Sequence, residues 1–127
     1  MAKTFEELEC WKLAIELDKK VYDLVITGKI KTLFSLRDQM LRSVGSIADN
    51  VAEGFERGGN KEFIQYLFIA KASCGELRSQ FHRSRKRELI TEAVFMEFYN
   101  ECRTVSVKLS NLITHLKSSE LKGNKYK

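Results

Sequence analysis

Proline is absent from all 127 residues. With nothing to fix φ or to remove an amide donor, no helix is broken from within, and long continuous helices become the leading expectation. Period-two alternation is missing as well, so the signal of half-buried strands is absent. Three cysteines, Cys10, Cys74 and Cys102, form no C-x-x-C pair, and an odd number cannot close a full disulfide framework. No apolar run approaches membrane-spanning length, and the N-terminal M-A-K-T-F-E-E lacks the apolar core of a secretion signal. A reducing cytoplasm is the expected compartment, with no membrane partner.

What is present is charge, unevenly placed. The chain holds 22 Lys and Arg against 17 Asp and Glu, a formal net charge of +5. Residues 1–31 balance at six of each sign, and residues 32–56 carry two basic and four acidic. Residues 57–87 carry eight basic and two acidic, and residues 88–127 return to six and five. The excess therefore sits on one segment, and distribution says more about an anionic partner than the sum does.

Apolar spacing predicts four helices. The first runs from about Thr4 to Thr27, with Thr4 and Glu7 as a capping box and Cys10, Ala14, Leu17, Val21 and Leu24 as its seam. Trp11, Ile15, Tyr22 and Val25 widen that seam, and Gly28 is the stop. The second runs from Leu33 to about Phe55 on Met40, Val44, Ile47 and Val51. Ser43, Gly45, Ser46, Ala48 and Ala52 make it slim, and Gly45 points to a backbone packed close by. Gly54, Gly58 and Gly59 then end the helix and turn the chain.

Asn60 is the expected N-cap of the third helix, whose seam Phe63, Leu67, Ala70, Cys74, Leu77 and Phe81 has a period of 3.5. The seam then turns polar at Ser84 and Glu88, so the core is expected to stop at Phe81 while the helix continues to about Lys86. Thr91 opens the fourth helix, running to about Lys117 on Phe95, Phe98, Cys102, Val105, Leu109, Leu112 and Leu116. Short connections make neighbours antiparallel, so the fold expected is an all-α, up-down-up-down four-helix bundle. Residues 1–117 form its one domain, and residues 118–127 read as a polar, disordered tail.

The early third helix is apolar beyond its seam. Phe63, Ile64, Tyr66, Phe68 and Ile69 are read as an oligomer interface, since a bundle helix normally keeps one wet face. The competing reading is that the first helix, with Trp11 and Tyr22, covers that side within one chain.

Polar residues cluster in two places that bear on chemistry. Lys71, Arg78 and Arg85 are seven apart with His82 beside them, and Arg83, Lys86 and Arg87 complete a basic helix end. Such a stripe fits phosphate contact, but cations at a helix C-terminus also complement the macrodipole. Gln39, Arg42, Asp49, Asn50 and Glu53 read as a buried hydrogen-bond network fixing helix register, in preference to a catalytic pair at Asn50 and Glu53. Arg42 and Asp49, seven apart, fall on roughly one face. There is no inward Glu-x-x-His for a di-metal site, no nucleophile beside a base, and no P-loop at Gly58-Gly59-Asn60. Neither a metal, a cofactor nor a catalytic residue is expected.

One set of residues stands out across Leu36–Leu77: Leu36, Arg37, Gln39, Met40, Arg42-Ser43 and Ser46-Ile47. Asn50-Val51-Ala52-Glu53-Gly54-Phe55, Lys61-Glu62-Phe63-Ile64, Ile69-Ala70 and Glu76-Leu77 continue it, with Trp11 and Val21-Tyr22 in the first helix. In these residues the chain resembles the four helix bundle proteins encoded in intervening sequences of bacterial ribosomal RNA genes. The chain departs from the family at Ala48, where proline is usual, and at Leu33-Phe34, where Phe-Pro is frequent. The resemblance implies a homo-oligomer, a pentameric ring in related proteins, and similarity in fold to nucleic-acid-binding accessory proteins of diversity-generating retroelements. No enzymatic activity is established for the family. The expected function is non-enzymatic, low-specificity binding of nucleic acid, RNA first and DNA second, by a self-assembled bundle. The alternative is a protein–protein scaffold that touches no nucleic acid.

Overall fold

A computed structural model describes the backbone over residues 2–125 and the side chains through residue 119. Four α-helices follow one another: α1 (Glu9–Thr27), α2 (Phe34–Glu56), α3 (Asn60–Lys86) and α4 (Glu92–Lys125). Short 3-10 turns, Phe5–Glu7 and Lys29–Thr32, precede α1 and α2. There is no strand among the described residues. The short connections reverse the chain each time, and α1 and α3 each pack on α2 and α4 without approaching one another closely. This is the antiparallel four-helix bundle that the periodicity predicts. None of the described helices is long and apolar enough to cross a membrane.

The core lies along the predicted seams. Val21, Met40, Ile47, Leu67, Leu77, Phe81 and Leu109 are shielded from solvent, each contributing about 1.5–3 kcal/mol by burial. Val25, expected to widen the α1 seam, is fully buried, whereas Ile15 and Tyr22 are exposed. Near the end of α4, Ile113 and Leu116 are buried, and Leu112 is half-buried. The cause is drift: a straight helix turns about 20° per heptad away from a 3.5-residue repeat.

Several boundaries move for identifiable reasons. The Glu7 carboxylate accepts from the amides of Thr4 (2.9 Å) and Lys3 (2.6 Å), so the expected cap closes the 3-10 turn and α1 begins at Glu9. Asn60 is the first residue of α3, not its cap; Gly59 holds the cap position without a side-chain bond. Thr91 does cap α4, its Oγ1 accepting from the Val94 amide at 3.2 Å. The backbone of α4 continues past Lys117 to Lys125, and the last two residues of the tail lie outside the described residues. Ser84 extends the core: it is fully buried, with its hydroxyl donating to the Gln80 carbonyl at 2.8 Å. A polar seam position can thus be buried when its own helix satisfies it.

The close backbone approach occurs at Gly54, not Gly45. A Cβ at Gly45 would meet only Asp18 Oδ2 at 3.9 Å, whereas one at Gly54 would fall 2.5 Å from Tyr66 Cβ. Gly54 therefore lies inside α2 as the contact point with α3, and the turn falls to Gly58, whose φ of 86° favours glycine. Helices joined by so short a turn are forced together at that end.

Candidate functional site

Helix α3 presents two unlike flanks. On the flank toward α2, several polar groups are spent on one another, although Gln80 Oε1 is buried without a partner among the described residues. Asn50 Nδ2 donates to the Ser46 carbonyl (2.7 Å) and to Ser46 Oγ (2.8 Å), and Ser46 Oγ lies 2.8 Å from Ser73 Oγ on α3. Gln80 Nε2 donates to Ser43 Oγ at 3.0 Å, and Arg83 Nη1 donates to Gln39 Oε1 at 3.1 Å. Arg57 bonds Glu53 (3.2 Å) and the Tyr66 hydroxyl (2.8 Å). These residues, with Asp49, Glu76 and Arg42, border or adjoin a groove of about 890 Å³ over the small side chains of α2.

The five residues expected to form one buried network are therefore divided. Asn50 joins α2 to α3 through two serines, Glu53 serves the loop end, and Gln39 holds Arg83. Arg42 and Asp49 are exposed and form no ion pair among the described residues. Their seven-residue interval is about 10.5 Å along the helix axis, beyond reach; side chains three or four apart are the ones that meet. Asp49 acts instead across the α1–α2 boundary: burial, then the Asp49 charge, raises the Asp18 carboxyl above its ordinary pKa.

The flank toward α4 carries unspent charge. Lys71 and Arg78 are half-buried on it, and neither has a carboxylate partner among the described residues. Arg78 stands near the Cys74–Cys102 pair, where Cys74 Sγ donates to the Cys102 carbonyl at 3.0 Å. The Cys102 thiol is pushed far above the usual range by the Cys74 thiol and by burial, against a weaker opposing pull from Arg78. His82 sets its ring edge on Phe95 (4.9 Å) and Tyr99 (5.7 Å). Arg85 lies 4.0 Å above the Phe95 ring and 3.3 Å from Glu92 Oε1.

The basic residues grouped by the sequence thus do not share one face. Lys71, Arg78, His82 and Arg85 lie toward α4, Arg83 turns to α2, and Lys86 and Arg87 are exposed at the helix end. Arg83, Arg85 and Lys86 also fall in the last turn of α3, where they complement its dipole.

Acidic groups avoid the α3–α4 face. The two carboxylates of α3, Glu62 and Glu76, lie toward Arg57 and the α2 groove respectively. On α4, Glu101 pairs with Lys20 of α1, and Glu97 acts on the same lysine. Glu92 is the one described carboxylate placed on the α3–α4 side, held by Arg85.

Two cations of α4 escaped the sequence reading. Lys117 lies 5.0 Å over the Phe68 ring on the α3 side. Arg103 is exposed one turn beyond Tyr99, on the outer surface of α4 with Asn100, Thr104, Val107 and Lys108. Their spacing of two heptads was the available signal, but it gains meaning only once the flank of α4 that meets α3 is known.

The residues assigned to an oligomer surface also separate. Phe63 is in the core, edge-on to Phe55 at 5.7 Å, and Ile64 is half-buried against it. Tyr66 packs at Gly54 and bonds Arg57 and Glu53. Phe68 and Ile69 remain 45% and 49% exposed, and α1 does not reach α3 to cover them. No three His, Cys, Asp or Glu side chains gather as a metal-ligand group among the described residues. The face thus offers fixed positive charge.

The profile of the 23S rRNA-intervening sequence proteins matches residues 6–111. The chain belongs to that family. A solved structure with the same fold comes from Bacteroides thetaiotaomicron and is described as a protein of unknown function from the S23 ribosomal protein family. It aligns at a TM-score of 0.76 and 20% identity, covering 83% of this chain and 95% of its own. At that identity the likeness establishes the fold alone. No curated protein matches the chain significantly.

Proposed function

We propose that this intervening-sequence protein is a non-enzymatic cytoplasmic bundle that self-associates and binds nucleic acid, RNA first, through the α3–α4 face. The separation of charge across α3 and α4 supports this reading most. Of their described carboxylates, Glu62, Glu76, Glu97 and Glu101 turn away from this face and Glu92 is held by Arg85, while Lys71 and Arg78 have no carboxylate partner among the described residues. Fixed cations on a convex helical surface contact phosphates without reading bases, which gives low sequence specificity. The family's name, placing it in 23S rRNA intervening sequences, makes structured RNA the first ligand to test.

Self-association draws support from Phe68 and Ile69, two large apolar side chains that stay about half exposed on the outer side of α3, which α1 does not reach. A pentameric ring is the assembly that the family resemblance leads us to expect. It would repeat the basic face and turn weak single contacts into avidity. The same two side chains favour the second reading, a protein–protein scaffold.

Gel-shift titration with structured RNA and duplex DNA over a salt series tests the proposal. Binding that weakens steeply with salt, and that Lys71→Gln with Arg78→Gln reduces, is the expected result. No shift at low salt would leave the scaffold reading.

A further inference from the structure

We infer that α4 supplies the second half of the anion site, and that the completed band takes the sugar-phosphate backbone of a double helix, not unpaired bases. The inference rests on the nucleic-acid reading above. Helices α3 and α4 run antiparallel, with Cys74 against Cys102 and His82 against Tyr99. Arg78 lies midway between the first pair and the second, so Arg103 comes to its level within about one turn. Lys117 lies at Phe68, beyond Lys71, and Arg85 closes the other end at Glu92. Arg85, Arg78, Lys71 and Lys117 therefore follow one another along the α3–α4 boundary, with Arg103 beside them on the outer surface of α4. From residue 85 to residue 68 of α3 that boundary spans about 25 Å at the helical rise.

The rings on this face are not free to receive bases. Arg85 covers Phe95 at 4.0 Å, His82 and Tyr99 abut the same ring, and Lys117 stands over Phe68 at 5.0 Å. Proteins that hold single strands offer open ring faces for stacking. Here Arg85 and Lys117 stand over Phe95 and Phe68, and His82 and Tyr99 pack against one another and against Phe95. Nor does any helix end or ribbon project from the face to enter a groove and read base edges. A straight band of about 25 Å instead meets a stiff polyanion, which carries one charge per ~1.7 Å and needs no ordering to lie along it. RNA and DNA duplexes share that chemistry, and the titration carries both.

The test is fluorescence anisotropy with a duplex of about 20 base pairs as RNA and as DNA, and with each unstructured single strand, from ~50 mM salt upward. Wild type is compared with Arg103→Gln/Lys117→Gln, with Lys71→Gln/Arg78→Gln, and with a control at exposed positions off this face, Lys12→Gln/Lys31→Gln. A duplex is expected to bind about tenfold tighter than its single strands. Arg103→Gln/Lys117→Gln should lower duplex affinity about tenfold and reduce the salt slope by about 2, and the control should change neither. Whether the RNA or DNA duplex binds tighter identifies the source of the backbone. Equal or tighter binding of single strands overturns the duplex assignment. Wild-type affinity in Arg103→Gln/Lys117→Gln, with loss in Lys71→Gln/Arg78→Gln, overturns the α4 assignment and leaves nucleic-acid binding standing. No binding of any probe by wild type removes both.

Discussion

The two flanks of α3 are equally polar in sequence and opposite in use. Toward α2, Ser73, Gln80 and Arg83 are each matched to a partner on the neighbouring helix. Toward α4, Lys71 and Arg78 meet no acid among the described residues, Lys117 rests on a ring, and Arg85 alone is paired, with Glu92. Polar groups that are paired within the chain hold helices in register. Polar groups without partners remain available to something outside it. Residue type alone does not distinguish these roles, since Arg83 and Arg85 are two positions apart and fall on different flanks.

That contrast can be broken from either side. The largest effect is expected at Gly54→Ala, where the new methyl collides with Tyr66. The strain outweighs the roughly 1 kcal/mol that alanine gains in helix propensity, for a net loss of about 2 kcal/mol, read by thermal denaturation. Lys71→Gln with Arg78→Gln should weaken RNA binding about tenfold in anisotropy titrations while the melting temperature stays near wild type. Asn50→Ala should do the reverse, costing about 1 kcal/mol of stability by releasing the Ser46–Ser73 bridge and leaving RNA affinity unchanged. A drop in RNA affinity at Asn50→Ala would place part of the binding site in the α2–α3 groove.

The smallest effect concerns Asp18. The folded state holds its proton more tightly than the unfolded chain does, owing to burial and then to Asp49. Stability therefore falls as pH rises from the ordinary aspartate pKa through the raised one, and stays lowered above it. Asp18→Asn should raise the melting temperature at pH 7 and give no gain near about pH 3, below both pKa values.

Helix number, order and most core positions were legible because apolar periodicity is local. Phe63 to Phe81 repeats cleanly whatever the neighbours are doing, and all six residues are buried. What was not legible depends on where two helices meet. Gly54 was read as a helix stop because only Tyr66 on α3 reveals the close contact. The periodicity places Ser84 beyond a core ending at Phe81, because its satisfaction by Gln80 is a matter of side-chain direction. Arg42 and Asp49 share a face as expected, but sharing a face over two turns is not contact. Arg103 and Lys117 were overlooked because a charge on α4 belongs to the basic face only through the register of α4 on α3. The cluster from His82 to Arg87 looked like one site because its members are adjacent in sequence, and the helix then distributed them to both flanks.

The most direct test of the account is the salt dependence of RNA-duplex affinity, measured for wild type and for Lys71→Gln/Arg78→Gln/Arg103→Gln/Lys117→Gln with melting temperatures taken alongside. Four phosphate contacts predict a slope of log K against log salt steeper by about 4 in wild type than in the variant, with melting temperatures nearly equal. Equal slopes for the two proteins would contradict the claim that the α3–α4 face is the anion site.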